Sequence, residues 1–154
     1  MSTLSVTDIE QRIVMARDIL CEIHPSKLKL VNWYTSDHPE CGTIACAAGH
    51  LALTLKFNEL GLYRDTFRGG IYYKETNPRF AVHEPLSGFY ALAEVFGFMT
   101  LAENIFCNAG SSQWDDKLGD YLQRTYGDKA TVLARIDYFL DVLLPVWKQE
   151  EARL

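Results

Sequence analysis

The sequence contains no apolar run long enough to cross a membrane. Its longest weakly polar stretch, Ile44 to Leu55, is interrupted by His50 and Thr54, whereas a spanning helix needs about 18 or more apolar residues in a row. The first residues have neither the basic start nor the apolar centre of a secretory signal. We therefore expect a cytosolic chain without membrane contact, whose four cysteines are reduced.

Clusters of basic residues are lacking as well. Fifteen Lys and Arg stand against twenty Asp and Glu, which gives a net charge of −5 at pH 7. Because a nucleic-acid-binding domain usually carries a basic patch, we expect no direct contact with nucleic acid, and no motif predicts a cofactor. The 154 residues, 48% hydrophobic and 23% charged, are typical of one globular domain that spans residues 1–154.

Most of the chain shows the spacing of apolar residues that is typical of amphipathic helices. Capping boxes at Thr7–Glu10 and Thr100–Glu103 mark two helix starts, and Pro145 predicts a kink or a break in the last helix. We predict a mostly α fold of about six helices, which cover residues 7–23, 43–58, 86–96, 100–107, a stretch that opens at Ser112, and 128 to about 147.

Two segments depart from the amphipathic pattern. The helix predicted over residues 43–58 is rich in alanine and apolar on nearly every side, so we place it, buried, at the centre of the fold. Residues 60–84 are the least helical part of the chain. There, Gly69-Gly70 predicts the turn of a small β-hairpin near residues 63–82.

Residues 37–50 contain two of the four cysteines and two of the four histidines, and a nucleophile is one interpretation of them. Cys41 lies just before the predicted helix, where free N–H groups stabilise a thiolate. A cysteine in this position is how many cysteine hydrolases present their nucleophile. The candidate catalytic residues are therefore Cys41 and, as its base, His50 or His83.

A zinc site is the second interpretation of the same segment. Cys46 and His50 are four residues apart and share a helix face, and His38 and Cys41 complete a set of four candidate ligands. The spacing Cys-x4-Cys-x3-His differs from the usual zinc patterns. We favour the simpler interpretation that Cys46 packs in the core as a small apolar residue and that His50 is a buried, hydrogen-bonded histidine.

Aromatic and basic residues come together in the predicted hairpin. Tyr and Arg are enriched at protein interfaces, and binding residues often lie on protruding segments. We therefore predict a protein-binding patch, with packing of the hairpin against the helices as the alternative. The residues of this patch are Arg64, Arg68, Tyr72, Tyr73 and Arg79.

The string from Glu40 to Ala47 resembles the cysteine box of bacteriocin-processing C39-type peptidases. In that family, later boxes hold a His and then, after a spacer, an Asp-Pro pair. In this chain His83 is followed directly by Glu84-Pro85. The resemblance implies a Cys-dependent hydrolase that uses Cys41.

A second resemblance covers more of the chain, roughly residues 30–55 and 90–140. Trp33 followed by Cys-Gly-Thr-x-x-Cys-x-Ala-Gly-His at residues 41–50 is similar to a pattern in small uncharacterised proteins of bacteriophages and bacteria. Weaker matches follow at 93–100, 102–106, Trp114 and 134–140. The resemblance implies no activity, but it implies a phage or prophage accessory protein that acts in the cytoplasm of the bacterial host.

These patterns together favour a protein that works by binding another protein over an enzyme. The expected partner is a host protein, and inhibition of a host defence or of other host machinery is the expected consequence. The Cys-dependent hydrolase and a small zinc-stabilised domain are the alternatives. The sequence leaves association with a second copy of the chain open.

Overall fold

The computed structural model describes residues 4–28, 47–65, 70–74, 86–107, 111–119 and 127–153. Of these residues, 71% are helical, and the rest include a three-stranded antiparallel sheet whose strands are arranged in chain order. The prediction of a mostly α fold with a small hairpin is therefore confirmed. The described elements are α1 (Val6–Cys21), α2 (Ala47–Ala52), α3 (Leu55–Glu59), β1 (Leu62–Arg64), β2 (Ile71–Tyr73), β3 (Leu86–Ser87), α4 (Gly88–Phe96), α5 (Met99–Phe106) and α6, which comprises Asp128–Tyr138, a π-helical turn Phe139–Leu143 and Leu144–Ala152.

Helix α1 begins at a different capping box from the one predicted. The Ser5 Oγ accepts the Asp8 N–H at 3.0 Å, and the Asp8 carboxylate accepts the Ser5 N–H at 3.2 Å. Ser5 has the extended backbone of an N-cap, with φ −75° and ψ 164°. The predicted box at Thr7–Glu10 is wrong because Thr7 already lies inside the helix.

The helix predicted over residues 43–58 is divided after α2. Thr54 has extended backbone angles, and its Oγ1 accepts the Phe57 N–H at 3.3 Å, so it caps the separate helix α3. All residues of α2 are buried, as predicted. Leu53 and Leu55, which belong to the intervening turn and to the start of α3, are 46% and 73% exposed. The part of the prediction before residue 47 lies outside the described residues.

Helices α4 and α5 meet at Gly97, whose φ of 97° is the left-handed conformation that favours glycine. Phe98 then has an extended backbone and is the N-cap of α5 without a side-chain hydrogen bond. The predicted box at Thr100–Glu103 is wrong because Thr100 lies within the helix. In the described part of the chain no single helix is long and apolar enough to cross a membrane. Helices α4 and α5 pass that test only together, at a bend of 116°.

The last helix accommodates Pro145 through a change in its winding. A proline inside an α-helix clashes with the carbonyl four residues earlier, here that of Asp141. The π-helical turn directly precedes the Leu144–Ala152 segment that contains Pro145, and the helical backbone continues through it. A wider turn relieves the clash, so a π turn stands at this place and the predicted break does not occur.

The segment from Ser112 forms less helix than predicted. Its described part contains a short 3-10 turn, Asp115–Lys117, and the rest of the predicted helix lies outside the described residues. Trp114 and Leu118, which flank this turn, pack against α6 as the spacing indicated. The main hydrophobic core is assembled from helices α1 to α6 and the first two strands.

Candidate functional site

The β1–β2 hairpin has two chemically different faces. The register pairs Leu62 with Tyr73, Tyr63 with Tyr72 and Arg64 with Ile71. Because side chains alternate along a strand, Leu62 and Ile71 share one face, and both are buried in the core. Tyr63 and Tyr72 share the other face, where their ring centroids are 5.9 Å apart at an interplanar angle of 30°. We call this tyrosine-bearing side the outer face of the hairpin.

Hydrogen bonds from neighbouring elements hold the hairpin in place. The Asn58 side-chain amide donates to the carbonyls of Ala52 at 2.8 Å and Leu62 at 2.9 Å, which fastens β1 to the end of α2. The Gly61 carbonyl accepts the Lys74 N–H at 2.7 Å. Helix α4 packs against β2. The outer face is therefore a supported surface rather than the side of an isolated two-stranded ribbon, which is at best marginally stable in water.

The structure divides the predicted binding patch between the two faces of the hairpin. Tyr72 belongs to the outer face, whereas Tyr73 packs against the core and Arg64 lies on the same side of the sheet as Ile71. Arg68 and Arg79 lie outside the described residues. The sequence analysis missed Tyr63, although a hairpin that turns at Gly69-Gly70 and alternates about Tyr72 would have indicated it.

The candidate catalytic and zinc-binding residues lie mostly outside the described part of the chain. This applies to His38, Cys41, Cys46 and His83. His50 lies in α2 with 7% of its surface exposed. Within the described ranges no group of three or more His, Cys, Asp and Glu residues is arranged to hold a metal ion. The hydrolase and zinc hypotheses therefore stay predictions from the sequence.

The two cysteines that the structure describes differ in their surroundings. Cys21 is exposed at the end of α1, and Cys107 is half-buried after α5. Burial raises the pKa of the Cys107 thiol, and although the Arg135 guanidinium lowers this pKa, the effect of burial is larger. A thiol with a raised pKa is protonated at neutral pH and is a poor nucleophile. Cys107 therefore has the properties of a packing residue.

A buried ion pair is the largest polar feature that the sequence analysis missed. Arg135 on α6 is completely buried, and its Nε and Nη2 donate to the two carboxylate oxygens of Asp115 at 2.9 and 3.0 Å. Its Nη1 donates to the carbonyls of Ile105 at 3.1 Å and Cys107 at 2.6 Å. This arrangement satisfies the C-terminal carbonyls of α5 and joins α5, α6 and the Asp115 turn.

A second group of hydrogen bonds extends the network around Asp115. The Asn104 Oδ1 accepts the Ser112 hydroxyl at 3.0 Å and the Gln113 N–H at 2.8 Å, and the Asn104 amide donates to the Thr100 carbonyl at 2.9 Å. Among the described residues every buried side-chain nitrogen and oxygen has a hydrogen-bond partner. The network therefore holds residues 112–115 against α5 and α6.

Comparisons of the chain with family models, with curated proteins and with solved structures find no match. The outer face of the hairpin offers two neighbouring phenol rings that can stack on apolar groups and accept or donate hydrogen bonds.

Proposed function

We propose that this chain is a phage or prophage accessory protein that binds a protein of its bacterial host in the host cytoplasm. The binding surface is the outer face of the hairpin, and inhibition of a host defence or of other host machinery is the expected consequence. The observation that carries the proposal is the Tyr63–Tyr72 ring pair, set on the side of the sheet opposite the buried Leu62 and Ile71.

The chemistry of these two residues supports a protein partner. Tyrosine is among the residue types that dominate the energy of protein interfaces, because it combines a large apolar ring with a hydroxyl and few rotatable bonds. Tyr63 and Tyr72 are only partly buried within the chain, so a partner would remove further apolar surface from water. Their ring contact orients both side chains before binding, which reduces the entropy that association costs.

Capture from a bacterial lysate tests the proposal. The affinity-tagged chain, the double variant Tyr63→Ala/Tyr72→Ala and the control Tyr90→Ala are incubated with the same lysate, and bound proteins are quantified by mass spectrometry. Tyr90 is 65% exposed on α4, so Tyr90→Ala removes a surface tyrosine outside the hairpin and serves as the matched control. We expect a specific set of host proteins that the double variant loses and the control retains.

The far-ultraviolet circular dichroism and thermal midpoint of each variant show whether it is folded. Because Tyr63 and Tyr72 also contact each other, a folded double variant is required before its loss of partners is interpreted. If a folded double variant keeps the same partners as the unchanged chain, the outer face of the hairpin is not the binding surface and the proposal fails.

A further inference from the structure

An apolar row runs along one side of α6 and is covered over only half of its length. Its members lie four residues apart, a spacing that places them on one side of a helix: Ala134, Tyr138, Val142 and Val146. The first two are 3% and 7% exposed, whereas Val142 and Val146 are 43% and 49% exposed. We call these four residues the apolar row.

Two large apolar side chains of the same chain cover the upper half of this row, which consists of Ala134 and Tyr138. Leu118 is completely buried against Ala134 and Tyr138, and the Trp114 ring lies 5.8 Å from the ring of Tyr138. Trp114 and Leu118 are four residues apart and flank the Asp115–Lys117 helical turn. The cover is therefore one turn of helix that presents two large apolar side chains on the same side.

An ion pair fixes the position of this covering turn on α6. Arg135 of α6 forms a two-pronged ion pair with Asp115 of the covering turn. In this pair α6 provides the cation, and the covering turn provides the carboxylate. Such paired contacts set register and specificity in addition to affinity.

Carboxylates lie beside the lower half of the apolar row, which consists of Val142 and Val146, whereas the cation Arg135 lies beside the upper half. Asp141 precedes Val142, and Glu150 follows Val146 by one helical turn. The cation in this stretch, Lys148, is paired with Glu10 of α1 at 2.9 Å. Beyond Val146, Trp147 meets the ring of Phe98, which is itself 51% exposed, at a centroid distance of 5.3 Å. An apolar surface with carboxylates at its edge suits a partner that places basic residues around an apolar stripe.

We propose that Val142 and Val146 dock an amphipathic helix of a partner protein, which carries two large apolar residues four apart with Lys or Arg beside them. This partner helix extends along α6 the apolar layer that Trp114 and Leu118 form. The charges are reversed, because here α6 carries the carboxylates and the partner carries the cations. The surface is separate from the outer face of the hairpin, so the inference stands or falls independently of the function proposed above.

A designed peptide tests the proposal directly. The probe is a fluorescein-labelled helical peptide with leucines on one side and lysines on the other, and its binding is followed by fluorescence anisotropy. The double variant Val142→Ser/Val146→Ser removes the apolar contact without adding charge, and Leu55→Ser is the matched control because Leu55 is 73% exposed on α3. We expect the double variant to bind about tenfold more weakly, since roughly half of each valine surface is at stake, and the control to bind as the unchanged chain does.

The electrostatic part of the proposal has its own measurements. Asp141→Asn should weaken binding several-fold at low salt and less at high salt, and a peptide with glutamate in place of lysine should bind far more weakly than the original. Equal losses in the Leu55→Ser control and the double valine variant would show non-specific adsorption and overturn the proposal. A concentration-dependent dimer in analytical ultracentrifugation that Val142→Ser/Val146→Ser abolishes would assign this face to a second copy of the chain and would equally overturn it.

Discussion

At the scale of single residues, Arg135 has the strongest expected effect on stability. Its guanidinium is fully buried and donates to Asp115 and to two backbone carbonyls. Arg135→Met keeps an apolar stem but leaves these acceptors without their donor. Breaking a fully buried pair on one side costs about 3–5 kcal/mol, and the 21% exposure of the Asp115 side chain places the expected cost at the lower end of this range. We expect a loss of that order in the free energy of unfolding, measured by urea denaturation.

The surface ion pair between Arg17 and Asp137 provides the control for this prediction. It has the same 2.9 Å nitrogen–oxygen distance as the Arg135–Asp115 pair, but the Arg17 side chain is 44% exposed. Exposed pairs contribute about 0–1 kcal/mol, so Arg17→Met should cost much less than Arg135→Met. Similar losses in the two variants would contradict the view that burial, and not the ion pair as such, makes Arg135 important.

At the scale of elements, hydrophobic periodicity predicts which segments are helical, and the Gly69-Gly70 pair predicts where the hairpin turns. Helix ends are harder to predict because they depend on which of several polar residues has the extended backbone of a cap. Ser5 takes this role instead of Thr7, and Thr54 divides a helix whose apolar pattern is continuous. Such choices depend on contacts between elements, which a local pattern does not contain.

The same reasoning explains which site residues the sequence indicates. Tyr72 is found by composition, but assigning it to the outer face requires the strand register, and with the register comes Tyr63. Arg135 lies three residues after Val132 and four before Phe139, on the buried side of α6. A charged residue on an apolar stripe signals a buried pair, but its partner, Asp115, is identified only by the fold.

The turn into the hairpin yields a prediction about Gly61. This residue has a φ of 103°, and a Cβ at its position would lie 2.7 Å from both the Lys74 carbonyl oxygen and the Tyr73 ring. Gly61→Ala should therefore cost more than the strain of the backbone angle alone, which is about 1–3 kcal/mol. Gly70→Ala is the control, since its φ is 84° but no atom lies within 4 Å of the added Cβ. Urea denaturation should show a larger loss for Gly61→Ala, and equal losses would exclude the contact as a cause.

At the scale of the whole molecule, two ion pairs and two hydrogen bonds of Lys129 join the first helix and the residues just after it to the last helix. Arg17 pairs with Asp137, and Lys148 pairs with Glu10, each at 2.9 Å. At the other end the Lys129 ammonium donates to the carbonyls of Cys21 at 2.9 Å and Ile23 at 2.6 Å. Its positive charge is attracted there by the negative, C-terminal end of the α1 dipole. The interface between α1 and α6 therefore contains charged groups.

The pH dependence of stability should reveal one of these groups. Burial raises the pKa of Asp137, Arg17 lowers it, and Asp141 raises it further, with burial the largest effect. A carboxyl whose pKa is higher in the folded chain stabilises the fold when protonated, and this contribution is lost as the pH rises through the folded-state pKa. Asp137→Asn stays neutral, so relative to the unchanged chain it should gain stability as the pH rises from below the ordinary carboxyl range to about 7. Because Asp137 is 31% exposed and retains Arg17, the gain should be small, and urea midpoints measured across this range check its sign. A variant that instead loses stability toward neutral pH would show that the attraction of Arg17 exceeds the cost of burying the charge.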